Sequence, residues 1–276
     1  MVPRFIKQQA RAANSDHLNP DCSIERCHLA AVRSSSLVLK AYDVFETSTI
    51  ATLFTRELGK VSGLAKGARR LKSPMQGGLD LLAISDIVLL HKASDALDLI
   101  IEAAPLERFE PLRRDLAALY AGYYIAELLS DLTDFHDPHP RLFDAAVVTL
   151  RHLGDPDLRP RRLFRFELAC LRELGLMPAI DHCAHCGEVV DASGDAFAFG
   201  LATGGVICPA CRPGQPHVAT LSGATLAAIR ALSEPGSAWR SLELNVSASA
   251  TIRATLGAVI SHAIGRRPRL LPYLGA

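Results

Sequence analysis

Charge of one sign, long apolar runs and catalytic signature motifs are all missing from this 276-residue sequence. Thirty Lys and Arg residues against 29 Asp and Glu leave a formal net charge of +1, so only the distribution of charge can point to a partner. The longest apolar stretches, such as residues 81–90 with Asp86 inside, fall short of the ~18–20 residues that span a bilayer. No transmembrane segment and no membrane partner are expected. The first 33 residues hold no apolar core of signal-peptide length, and Lys7, Arg11 and Arg26 lie scattered among polar residues, which predicts a cytoplasmic protein. Internal repeats and low-complexity tracts are absent. So are the Gly-x-x-x-x-Gly-Lys-Ser/Thr loop, the His-Glu-x-x-His helix and the Gly-x-Ser-x-Gly elbow. Gly63-Leu-Ala-Lys66-Gly67 imitates a phosphate loop but lacks the closing Lys-Ser/Thr pair, which argues against an ATPase.

What is present is an ordinary globular composition, 49% hydrophobic and 21% charged, long enough for two or three structural units. Seven cysteines, four of them in two close pairs, suit a reducing compartment and a metal better than a disulfide framework. Residues 1–33 show no sustained periodicity and are expected to form a flexible extension, containing Cys22 and Cys27, upstream of a fold that opens at Ser34-Ser35-Ser36. Alternating apolar positions from Leu37, a β-branched run over residues 49–55, and further apolar runs at 61–65, 79–91 and 97–104 predict about five short strands. Five strands in so short a span suit a small closed barrel, of the oligonucleotide-binding (OB) type or an SH3-like one. After Pro105 the period becomes helical: Leu112, Leu116, Leu119, Tyr123 and Ala126 share a face, and residues 141–153, 161–174, 222–232 and 249–264 follow suit. The expected class is α+β, with a barrel over residues 34–106 and a helical domain over 107–276 that carries an inserted module at about 181–217.

That module contains the strongest local signal, Cys183-Ala-His-Cys186 and Cys208-Pro-Ala-Cys211, separated by 21 residues. Four thiolates complete a tetrahedral zinc shell and leave no open position for a catalytic water, so a structural Zn²⁺ held by Cys183, Cys186, Cys208 and Cys211 is expected. His182 and His185 lie beside the cysteines and are not assigned as ligands. The second signal is the uneven charge. Between Arg33 and Lys72 eight basic residues face three acidic ones, and Lys66-Gly-Ala-Arg69-Arg70-Leu-Lys72 leaves a predicted strand as a mobile basic loop suited to phosphates. Base stacking is less expected, because Tyr42, Phe45 and Phe54 are the only aromatics between Leu37 and Ala104 and some must fill the core. Asp134-Phe-His136-Asp137-Pro-His139 mixes carboxylates and imidazoles, but Pro138 and Pro140 mark a turn there and Asp137 is placed to cap the next helix. Arg266, Arg267 and Arg269 offer either a second phosphate contact or cations closing a helix C-terminus.

Ser36-Leu-Val-Leu-Lys40, Leu53-Phe54-Thr55-Arg56-Glu57-Leu-Gly59-Lys60, Val61-Ser-Gly-Leu-Ala-Lys66-Gly67-Ala-Arg69-Arg70, Arg161-Arg162-Leu163-Phe164-Arg165-Phe166-Glu167 and the knuckle Cys183-Ala-His-Cys186-Gly187 together resemble the RecO family over roughly residues 34–276. The resemblance implies an N-terminal OB barrel, a helical C-terminal domain and a zinc module. It further implies a non-enzymatic, nucleoid-associated recombination mediator that binds single- and double-stranded DNA and anneals complementary strands. With RecR it would help RecA replace single-strand-binding protein, whose C-terminal tail the helical domain would engage. By resemblance, Lys66, Arg69, Arg70 and Lys72 contact the DNA backbone, with Lys40, Arg56 and Lys60 as weaker candidates. Two rival readings are a protein-only adaptor joining RecR to single-strand-binding protein, and a metal-dependent nuclease built on Asp134–His139.

Overall fold

A computed structural model describes residues 31–91, 97–191 and 194–275. Cys22, Cys27 and the expected N-terminal extension lie outside the described residues, apart from residues 31–33, which open the first strand. Five strands, β1 (Ala31–Val44), β2 (Ser48–Thr55), β3 (Gly59–Ala65), β4 (Ile84–Leu90) and β5 (Asp98–Glu107), close into a barrel in the order β1-β2-β3-β5-β4. Every pairing is antiparallel except β3 with β5, where Gly63, Leu64 and Ala65 face Asp98, Leu99 and Ile100 in parallel. Insertion of β5 between β3 and β4 gives the five-stranded Greek-key closure of an OB barrel rather than an SH3-like one.

Alternation along the strands serves two cores. Val38, Leu53, Val61, Ile87 and Ile100 point into the barrel, whereas Leu37, Leu39 and Phe54 point outward and pack on helices. A strand buried on both faces reads as a nearly continuous apolar run, as Leu37–Leu39 does. The expected strand at residues 79–91 begins only at Ile84. The preceding Met75, Leu79 and Ala83 instead plug the barrel from within the β3–β4 loop.

Six helices follow: α1 (Glu110–Arg114), α2 (Leu116–Leu132), α3 (Pro140–Arg151), α4 (Arg159–Glu173), α5 (Gly223–Ser233) and α6 (Val246–Ile264). The apolar stripe through Leu112 and Ala126 is not one helix. Asp115 adopts an extended conformation, ends α1 and caps α2 by accepting from the N–H groups of Ala117 and Ala118 at 2.9 and 3.3 Å. Ser222 and Asn245 cap α5 and α6 in the same way, and Gly265 ends α6 at φ +76°. Between α4 and α5 the chain forms a three-stranded sheet, β7-β6-β8, from Ala196–Gly200 (β6), Gly205–Ile207 (β7) and Val218–Ser222 (β8), whose Phe197, Phe199 and Leu221 join the helical core. No helix among the described residues is long and apolar enough to cross a membrane.

Glu167 is fully buried at the centre of this helical core. It accepts from Tyr124 Oη at 2.8 Å and from Arg253 Nη1 at 2.6 Å, while the Arg253 guanidinium lies 4.4 Å from the Phe164 ring centroid. Burial pushes the Glu167 carboxyl above its ordinary range, and Arg253 and Tyr124 oppose that shift. The pair ties α4 to α6 across 86 residues of sequence.

Candidate nucleic-acid interface and metal centre

Lys60 is the second residue of β3, and its side chain turns away from the barrel interior into the helical domain. It is 7% exposed; its ammonium donates to the Ser130 carbonyl at 2.7 Å and to the Thr133 carbonyl, and lies 4.8 Å from the Phe135 ring centroid. Burial lowers its pKa, against the raising field of Asp134. The His136 N–H donates to the Lys60 carbonyl at 2.9 Å. Gly59 sits at φ +70°, where an added Cβ would collide with the Asp137 backbone. The Gly59-Lys60 turn is therefore the joint between barrel and helices, and Lys60 has no ammonium to offer a polyanion. Arg56 is also engaged at this joint, donating from Nε and Nη2 to Asp144 on α3 at 2.9 and 3.0 Å. Lys40 is half-buried opposite Thr52, near enough for its charge to act on Lys60.

The Asp134–His139 segment belongs to the same joint. Asp137 Oδ2 lies 3.2 Å from His139 Nε2 and does not cap α3, which starts from an uncapped His139 followed by Pro140. His136 meets the His91 ring edge-on at 5.6 Å. These groups do not converge on a common point; among the described residues the only gathering of three or more metal-binding side chains is elsewhere. Arg266 is likewise occupied, by Glu127 at 3.2 Å and by Asp131.

The cations of the β3–β4 loop stand together at one end of the barrel. Lys66, Arg70 and Lys72 border an open cleft of ≈ 370 Å³ whose opposite wall is Leu99, Ile100 and Ile101 of β5. All three are exposed and none forms an ion pair among the described residues, whereas Arg69 is held 3.5 Å from Asp43. The loop that presents them is folded into turns. Turns close from Arg70 N–H to the Gly67 carbonyl (3.1 Å) and from Ser73 N–H to the Arg70 carbonyl (3.0 Å), and Met75 and Leu79 anchor the following residues in the barrel. Of the aromatics expected in the core, only Phe54 is buried; Phe45 is 76% and Tyr42 42% exposed.

The sulfurs of Cys183, Cys186, Cys208 and Cys211 all lie within 4.8 Å of one another, with Cys186 and Cys208 3.8 Å apart. Thiolates at the corners of a tetrahedron with metal–sulfur bonds of ~2.3 Å are about 3.8 Å apart, so the set fits a single ion. The first knuckle is folded by the Gly187 N–H donating to the Cys183 carbonyl at 2.9 Å, with Gly187 at φ +76°. The Cys211 N–H donates to the Cys208 carbonyl at 3.1 Å in the second. Burial opposes ionisation of Cys183, but the backbone N–H groups of Cys208, Cys186 and His185 outweigh it and bring the thiol down to about 6. Cys211 is pushed up to about 12, chiefly through its contact with Cys208. Four crowded sulfurs without a cation cannot all ionise, which is the condition a divalent metal relieves.

Residues 29–109 match the family model described as the N-terminal region of recombination protein O, and residues 113–272 match that of its C-terminal region. The chain is 45% identical over 201 residues to a DNA repair protein RecO from Rhodopirellula baltica, covering 72% of this chain and 74% of that one. It is 36% identical over 237 residues to one from Anaeromyxobacter dehalogenans (86% and 92% covered) and 31% identical over 244 residues to one from Myxococcus xanthus (87% and 95%). An OB-like barrel, a helical domain and a four-cysteine cluster agree with these matches: the chain belongs to the RecO family of DNA repair proteins.

Proposed function

We propose that this chain is a non-enzymatic recombination mediator that grips DNA phosphates with the β3–β4 loop and holds complementary strands close enough to pair. The carrying observation is the trio Lys66, Arg70 and Lys72, exposed around one cleft without carboxylate partners among the described residues. Each cation that neutralises a phosphate releases a counterion, giving affinity with little sequence preference. Annealing needs no acid or base; screening lets two backbones approach while base pairing supplies the free energy and the selection. Arg69 joins the trio once a phosphate competes for it with Asp43, a partly exposed pair worth about 1 kcal/mol or less.

Zn²⁺ is the metal best matched to four thiolates, and bound there it would cross-link the two knuckles without taking part in chemistry. Cooperation with RecR and RecA, and capture of the tail of single-strand-binding protein, rest on family membership. The test is annealing of two complementary dye-labelled oligonucleotides, followed by energy transfer. The wild type should accelerate annealing, and a Lys66→Ala, Arg70→Ala, Lys72→Ala variant should lose most of that acceleration while melting at the wild-type temperature. Equal acceleration by both proteins would move the phosphate surface elsewhere. No acceleration and no DNA binding by either would favour the protein-only adaptor.

A further inference from the structure

The end of the barrel that bears the cations also bears the most exposed large apolar side chains of the domain. Leu71, between Arg70 and Lys72, is 94% exposed, and Phe45, in the β1–β2 turn, is 76% exposed. Two independent links hold the turn and the loop side by side: the Arg69 N–H donates to the Thr47 carbonyl at 3.1 Å, and Arg69 Nε lies 3.5 Å from Asp43. Tyr42 stands exposed on the same hairpin. Phe45 adopts φ +55°, a left-handed conformation that Gly or Asn takes more readily. An aromatic kept there at a conformational cost, with its ring in water, contributes nothing to the core.

We infer that Phe45 and Leu71 are base-contacting residues, the Phe45 ring stacking on an unpaired base and Leu71 inserting between neighbouring bases while the flanking cations hold the phosphates. The inference rests on the DNA-binding reading above and adds a preference to it. Phosphate contacts alone hold single and double strands alike, whereas apolar tips reach base faces that a duplex keeps stacked. The occupant is single-stranded nucleic acid because Leu71 stands between Arg70 and Lys72, with Lys66 and Arg69 on the same loop, and these four cations outnumber Asp43 and Glu46 beside Phe45, which suits a polyanion and disfavours a purely apolar protein face. Phe45 also lies in the loop joining the first two strands, one of the loops through which OB barrels hold oligonucleotides.

The experiment compares wild type with Phe45→Ala, Leu71→Ala and Phe45→Trp on a single strand carrying the fluorescent base 2-aminopurine and on a blunt duplex of equal length, each across a salt series. Stacking on one base is worth ~1–3 kcal/mol, so each alanine variant should bind the single strand roughly 5- to 150-fold more weakly. Duplex affinity and the salt slope should stay at their wild-type values, and Phe45→Trp should retain tight binding and the wild-type change in 2-aminopurine fluorescence. Phe45→Gly, which removes ring and left-handed penalty together, should melt no lower than wild type yet bind like Phe45→Ala. Wild-type single-strand affinity in the alanine variants would overturn the inference and turn this face toward a protein. Equal loss on both substrates with a shallower salt slope would also overturn it, since the side chains would then merely position the cations. Failure of the wild type to bind either substrate would instead remove the DNA-binding reading itself.

Discussion

Lys60 and Lys66 lie on the same short stretch of sequence and have opposite fates. One is buried with its ammonium on two carbonyls, and the other is exposed beside an open cleft. Replacing Lys60 by Ala strands two carbonyls in the domain joint, at ~1–3 kcal/mol for each buried group left unsatisfied, so thermal unfolding should occur well below the wild-type temperature. Lys66→Ala should leave the melt unchanged. Gly59→Ala should destabilise as well, since the left-handed conformation costs about 1–2 kcal/mol before any displacement of Asp137. In the helical core Arg253→Ala leaves the buried Glu167 carboxyl without its cation and with only the Tyr124 hydroxyl donating to it, a change expected to cost about 3–5 kcal/mol in denaturant unfolding. Neither role was legible in the sequence. A lysine amid cations reads as surface, and Glu167 and Arg253 are too far apart in the chain for any local pattern to pair them.

The elements divide by how local their signals are. Strand alternation, helical stripes and the paired Cys-x-x-Cys knuckles are set within a few residues, and they marked the barrel, most of the helices and the four-cysteine cluster. The short strands β6, β7 and β8 were missed because Phe197 and Phe199 alternate for only five residues between glycines, and their pairing depends on a module closed by the knuckles. The break between α1 and α2 was missed because Asp115 sits in an uninterrupted helical stripe and works as a cap. If a metal ties the knuckles, protein prepared without chelator should carry one zinc ion per chain by native mass spectrometry. Cys208→Ser should abolish it and speed amide exchange through residues 179–217. Exchange in the barrel strands should stay unchanged, because the cysteines have no part in the barrel core.

At the scale of the molecule, the joint fixes how the two domains meet. Leu37, Leu39 and Phe54 of the barrel enter the helical core, and Gly59, Lys60 and Arg56 lock the rim. The Arg56 guanidinium holds the Asp144 carboxyl below the ordinary carboxylate range. A carboxyl depressed by folding contributes stability that is present above its unfolded pKa of about 3.9 and is lost as pH falls through the lower folded value. Because both groups are exposed, solvent screens the pair and its contribution is small. Melting temperatures from about pH 7 down to about pH 3 should therefore show a small acid-labile increment in wild type that Asp144→Asn lacks throughout. The same joint shrinks the basic surface that composition suggests, removing Arg56 and Lys60 and leaving the β3–β4 loop.

The slope of log affinity against log salt for a single-stranded oligonucleotide tests that assignment most directly. Each lost phosphate contact flattens the slope by about 0.7, so the Lys66→Ala, Arg70→Ala, Lys72→Ala variant should be shallower than wild type by about 2, while Arg56→Ala should match wild type. A wild-type slope in the triple variant, or a flattened one in Arg56→Ala, would contradict the placement of the phosphate-binding surface on the loop.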